Sequence, residues 1–178
     1  MNEAVKKNGL TFGVIIGVIA ILIMTTIYSI DLHLLVNMWV GISIFFINII
    51  LGIVAVAKAK QGLGGLINFK QAFTTFFIAM AVGAAINAVF MIILFNVIDP
   101  GAKATVTDYA IEATVKMMKG FGTPTAGIKD TITKMREMDN FSIVNQLKSY
   151  VWGLLMYIVI GLIVAVALRN TTNDSMKA

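Results

Sequence analysis

The chain has 178 residues, of which 58% are hydrophobic and only 13% are charged, and its formal net charge is +5. The charged share is about half that of a typical soluble domain, so an ordinary water-soluble globular protein is excluded. The chain has no cysteine, which excludes disulfides, thiolate nucleophiles and cysteine metal sites. No basic stripe with interleaved aromatic residues is present, so we expect no nucleic-acid partner.

Four long stretches without Asp, Glu, Lys or Arg follow one another along the chain. Each reaches the roughly 20 apolar residues that a helix needs to cross the hydrocarbon core. A soluble core helix is rarely uncharged on all of its faces for so long. The sequence therefore predicts an all-α polytopic membrane protein, a four-helix transmembrane bundle forming one membrane domain over residues 1–178. The predicted spans are about 9–30, 36–57, 72–98 and 149–168.

Small residues recur every fourth position in spans one and three, and so share one face of each helix. Such faces let helix backbones approach closely, and packing drives their association. We interpret them as packing surfaces inside the bundle, with contact to another subunit as the alternative. The positions are Gly9, Gly13 and Gly17 in span one, and Ala79, Gly83 and Asn87 in span three.

Two asparagines stand out inside spans that contain no charged residue, Asn48 in span two and Asn87 in span three. An amide cannot remain unsatisfied in lipid, so both side chains should face other helices. Hydrogen bonds between helices are one interpretation, at about 0.6 kcal/mol per contact. A site for a polar substrate or ion is the other.

Between spans three and four lies the only substantial polar segment, residues 99–148. Its apolar residues predict two short amphipathic helices, the first capped by Thr107 or Asp108, with span four's helix starting near Ser142. The apolar stripes form a candidate partner surface, because methionine side chains are adaptable. The alternative is that they lie on the membrane or cap the bundle. The surface comprises Met117, Met118, Ile128, Ile132, Met135 and Met138.

The distribution of basic residues predicts the orientation. In a four-span protein both termini lie on one side, and Lys and Arg are more densely packed there than in residues 99–148. The tight connection after span one carries neither residue. We therefore expect both termini in the cytoplasm and residues 99–148 outside a bacterial cytoplasmic (inner) membrane.

Four short strings, in order, resemble a bacterial family of four-helix membrane proteins of unknown function, domain of unknown function 4199, found mainly in Bacteroidota. The resemblance covers nearly the whole chain. It implies an inner-membrane location and an extra-cytoplasmic segment between spans three and four, and it supplies no catalytic residue. The strings are Lys-Lys-Asn-Gly-Leu at 6–10, Asn-Phe-Lys-Gln-Ala-Phe at 68–73, Val-Ile-Asp-Pro at 97–100 and Gly-Leu-Ile-Val-Ala-Val-Ala-Leu-Arg-Asn at 161–170.

The sequence shows no arrangement of residues typical of an enzyme active site. The single histidine, His33, lies in a turn beside Asp31, whereas a metal site or catalytic relay usually needs several convergent groups. We expect no enzyme activity and no cofactor. We favour a non-catalytic inner-membrane protein that acts by associating with itself, as a homo-oligomer, or with other membrane proteins. Its remaining partner is the lipid bilayer. The alternative is a small transporter or channel-forming subunit with a polar site near Asn48 and Asn87.

Overall fold

The computed structural model describes residues 2–170. A 3-10 helix, Leu32–Val36, joins the first two α-helices, and the third α-helix continues as a π-helical turn, Leu94–Ile98. The all-α prediction is confirmed. The α-helices of the described chain are α1 Glu3–Ile30, α2 Met38–Gly62, α3 Phe69–Ile93, α4 Ala102–Gly120, α5 Thr125–Glu137 and α6 Ile143–Leu168.

Four of these helices are long and apolar enough to cross a membrane, namely α1, α2, α3 with its π-helical turn, and α6. Each of them extends past its predicted span at one end, where residues beside the apolar run are also helical. At the start of α1, for example, the side-chain oxygen of Asn2 accepts a hydrogen bond from the Ala4 N–H at 2.9 Å. The helix consequently begins several residues before the predicted span.

The chain divides into two compact units. The described part of the first unit consists of residues 2–20, 46–87 and 150–170. Its core is apolar and rich in small residues, which allows close helix packing. The core residues are Ile16, Ala55, Val56, Ala59, Ile67, Ala72, Phe76, Ala79, Met80, Val164 and Ala165.

The second unit consists of Ile21–Phe45 and Ala88–Ser149. Its core lies where the π-helical turn meets the start of α4, and includes Leu94, Phe95 and Val106. The ring of Phe95 packs against that of Phe141 with centroids 4.3 Å apart.

Two short helices between the third and fourth long helices confirm the predicted helical segment, but the start of α4 was predicted too late. The helix begins at Ala102 rather than near Thr107 or Asp108. Asp99 accounts for the difference, since its Oδ1 accepts a hydrogen bond from the Ala102 N–H at 3.1 Å. The start of α6 agrees with the prediction, because Ser142 Oγ accepts a hydrogen bond from the Asn145 N–H at 3.3 Å.

Candidate functional surfaces

The glycine face of α1 is filled by α3 of the same chain. A Cβ built on Gly13 would lie 2.6 Å from the Val82 Cβ, which is closer than two such atoms can approach. A Cβ built on Gly9 would lie 2.9 Å from the Ile78 Cβ, and one built on Gly17 would lie 2.7 Å from the Ile86 Cβ. Because both sets of residues recur every fourth position and pair in ascending order, the two helices run parallel along this ladder.

The packing of α1 on α3 is reciprocal. Gly83 of α3 receives the side chain of Ile16, which is itself buried. The main chains are also close, since a Cβ on Gly13 would lie 3.1 Å from the carbonyl oxygen of the buried residue Ala79. The small-residue faces of spans one and three thus contact one another within the chain, and these positions are not available to a second subunit.

The two membrane asparagines lie on the same helix faces as buried residues. Asn48 is one turn before the buried Gly52 of α2, and Asn87 is one turn after the buried Gly83 of α3. Both side chains are half-buried, and neither makes a hydrogen bond to any residue in 2–170. Their amide atoms are not sealed inside the protein either. They are therefore unpaired polar groups within apolar helices.

The six residues of the candidate partner surface do not form one surface. Helix α5 packs back along α4, and the Arg136 guanidinium contacts the Asp108 carboxylate at 3.1 Å. That pair brings the end of α5 next to the first half of α4, so Met138 and Met117 lie at opposite ends of the hairpin. Both are exposed, at 52% and 54%. The other four are withdrawn from the surface to different degrees, with Ile128 buried and Met118, Ile132 and Met135 half-buried.

The turn between α4 and α5 carries an exposed aromatic residue that the sequence analysis missed. Phe121 is 82% exposed, and its backbone N–H donates to the Met117 carbonyl at 3.1 Å, which places it one turn beyond Met117. Gly122 follows with a φ of +70°, a conformation that favours glycine and reverses the chain. We call Met117 and Phe121 the hairpin tip.

A polar network fixes the base of this hairpin. Asn96, within the π-helical turn, donates from its Nδ2 to the carbonyls of Ile92 and Phe141, each at 2.9 Å. Its Oδ1 accepts from Lys103 Nζ at 2.8 Å, and the same ammonium contacts Asp139 Oδ2 at 3.0 Å. Lys103 therefore joins the π-helical turn, the start of α4 and the segment that leads into α6.

A second set of contacts holds the end of α1 to the same unit. The Tyr28 hydroxyl donates to Asp99 Oδ2 at 2.7 Å. This bond, together with the Ala102 N–H, holds the pKa of Asp99 below its usual range. In the 3-10 helix, the His33 ring meets the edge of Tyr109 at a centroid distance of 4.9 Å, and the His33 N–H donates to Asp31. His33 thus has a packing role. No group of three potential metal-ligating His, Cys, Asp or Glu side chains occurs within residues 2–170.

Comparison with known proteins identifies a family for this chain. The sequence profile of a family described as "Protein of unknown function (DUF4199)" matches residues 11–170. No curated protein and no solved structure matches the chain.

Proposed function

The chain belongs to the family described as Protein of unknown function (DUF4199), and from that premise we propose that it is a non-catalytic protein of the bacterial cytoplasmic membrane that acts by association. In this proposal α1, α2, α3 and α6 cross the membrane, both termini are cytoplasmic, and residues 99–148 lie outside. The hairpin of α4 and α5 contacts either a second copy or another membrane protein.

The exposed hairpin tip is the observation that carries this proposal. A large aromatic residue one helical turn beyond a methionine, both exposed where α4 ends, is the kind of anchor that protein interfaces use. The tip belongs to a unit whose other end is fixed by the Asn96, Lys103 and Asp139 network. A rigid support matters, because an interface residue that is already ordered loses less conformational entropy on binding.

The charge of residues 99–148 limits the kinds of partner that this segment can bind. Basic and acidic residues are nearly balanced over residues 99–148, and three ion pairs use some of each. A strongly anionic or cationic partner would gain little from such a surface. The proposed contact is therefore apolar at its centre, formed by Met117 and Phe121.

Cross-linking in native membranes tests the proposal, since a chain without cysteine accepts a single engineered thiol cleanly. Phe121→Cys is labelled with a maleimide benzophenone and irradiated, and Met117→Cys is treated in the same way. We expect both positions to give a discrete cross-linked species, whose mass distinguishes a second copy from another protein. Lys129→Cys, exposed on α5, is the matched control and should give far less. Absence of a discrete species at both tip positions contradicts the proposal.

A second candidate function, a transporter or channel-forming subunit, is favoured by the unpaired amides of Asn48 and Asn87. Two hydrogen-bonding groups left accessible on apolar helices could contact a polar solute or ion. The test measures efflux of monovalent ions from proteoliposomes for the wild type, Asn48→Leu and Asn87→Leu. Loss of efflux in folded variants supports this function, whereas absence of efflux in the wild type, or equal efflux in all three, opposes it.

A further inference from the structure

Four helix ends meet at one end of the first unit. Lys60 Nζ donates to the Leu168 carbonyl at 3.3 Å, which joins the ends of α2 and α6. The Ile67 N–H donates to Asn170 Oδ1, and the Asn170 N–H donates to the Ile67 carbonyl, both at 2.9 Å. These two bonds tie the segment before α3 to the end of α6.

The start of α1 belongs to the same cluster of helix ends. A Cβ built on Gly62, the last residue of α2, would lie 3.4 Å from the Ala4 Cβ. The first turns of α1 and the last turn of α2 are therefore in contact. Residues that are far apart in sequence are thus gathered at one end of the unit.

These helix ends carry a concentration of positive charge that far exceeds the acidic charge in the described part of the first unit. Glu3 is the only acidic residue in the described part of the first unit. The ion pairs recorded between residues 2–170 all join residues of the second unit. Lys60 is half-buried, and its ammonium group already donates a hydrogen bond to the Leu168 carbonyl. The exposed cations, which we call the basic end, are Lys6, Lys7, Lys58, Lys70 and Arg169.

An exposed apolar residue accompanies these cations. Leu66 is 67% exposed and follows Gly64 and Gly65, whose φ angles are +78° and +89°. Leu66 also precedes Ile67, whose bonds to Asn170 hold it next to Arg169 in the chain. An exposed leucine close to a cation is suited to the boundary between head groups and acyl chains, where apolar groups enter the membrane and cations remain at phosphate level. The combination favours a lipid surface over a soluble acidic protein.

We propose that the basic end binds the phosphate head group of an anionic phospholipid. Ammonium and guanidinium groups make strong, charge-assisted hydrogen bonds to phosphate oxygens. Basic residues next to membrane helices contribute roughly equally to attraction by anionic lipid. The site uses the first unit alone, so it does not depend on the hairpin tip or on the association proposed for it.

The experiment uses the full chain in uncharged detergent and measures retention of added phosphatidylglycerol or phosphatidylcholine by native mass spectrometry. We expect preferential retention of phosphatidylglycerol, weakened by added salt. The triple variant Lys58→Gln/Lys70→Gln/Arg169→Gln should bind it on the order of a hundredfold more weakly, since each charge is worth about fivefold. These three substitutions do not alter the residues that form the Lys60–Leu168 and Ile67–Asn170 hydrogen bonds.

A matched triple variant in the hairpin, Lys116→Gln/Lys119→Gln/Lys129→Gln, removes the same charge elsewhere and should bind phosphatidylglycerol like the wild type. Equal retention of the two lipids by the wild type overturns the proposal, as does an equal loss in both triple variants. Inorganic phosphate should not displace the lipid at equal concentration, and full displacement would indicate a free-anion site instead. Unchanged circular dichroism and thermal unfolding in phosphatidylcholine establish that the variants are folded.

Discussion

Gly13 and Val82 are so close that a Cβ on the glycine would lie 2.6 Å from the valine Cβ. This contact is the middle rung of a ladder in which glycines of α1 face β-branched residues of α3. Without a hydrophobic driving force between helices in lipid, such packing is a principal source of association. The pairing of α1 with α3 therefore depends on the absence of a side chain at Gly13.

Gly13→Leu should separate α1 from α3 and lower the free energy of unfolding by about 1–3 kcal/mol, the usual cost of overpacking. Denaturation of the purified protein in mixed detergent and SDS micelles, followed by circular dichroism, measures the change. Gly153→Leu is the matched control, since nothing lies within 4 Å of a Cβ at that position. Equal stability of the Gly13 variant and the wild type would show that the ladder is not formed.

Lys103→Met should destabilise the second unit because it leaves Asn96 Oδ1 and the Asp139 carboxylate without their shared donor. The pair is partly exposed to solvent, so we expect a loss of about 1 kcal/mol rather than more. Hydrogen exchange should rise in residues 139–145, which lead into α6. Lys116→Met, on an exposed lysine of the same helix, should leave both quantities unchanged. A similar effect from the two substitutions would argue against the network.

Tyr28→Phe should lower stability in a manner that depends on pH. The Tyr28 hydrogen bond holds the folded-state pKa of Asp99 below its usual range. A depressed carboxyl pKa contributes stability above the unfolded pKa of about 3.9, and this contribution is lost as pH falls through the folded value. The difference in unfolding temperature between wild type and variant should therefore be larger at neutral pH than in acid.

The control for this pH dependence is Tyr109→Phe, which keeps the ring against His33 and does not touch Asp99. Its unfolding temperature should track the wild type at every pH. A Tyr28→Phe difference that stays constant or grows on acidification would contradict the assignment of the Tyr28–Asp99 bond.

The long helices could be predicted from the sequence because run length and absence of charge are local properties. The packing of these helices against one another could not be predicted in this way. The spacing of Gly9, Gly13 and Gly17 showed a face suited to close approach, but not that Ile78, Val82 and Ile86 occupy it. Which residues fill the glycine face depends on which helices become neighbours in the fold. For this reason the sequence alone leaves open the alternative that the face contacts another subunit.

The polar segment shows two further limits of sequence patterns. Asp99 stands in the sequence as the first residue of the polar segment, and the pattern does not reveal that its carboxylate caps the start of α4. The methionine stripes suggested one surface, but folding of α5 back on α4 separates Met117 from Met138. Phe121, a single aromatic residue between two glycines, belongs to no periodic pattern and was therefore missed.

The proposed external association requires the hairpin of α4 and α5 to lie outside the cytoplasm, and cysteine labelling measures on which side it lies. Two single-cysteine variants at exposed positions, Thr125→Cys at the start of α5 and Gln61→Cys near the end of α2, are treated with an impermeant maleimide in intact spheroplasts. We expect position 125 to react at once and position 61 to react only after the membrane is opened. Reaction at position 61 in intact spheroplasts, with position 125 protected, would place the hairpin in the cytoplasm and contradict the proposed external association.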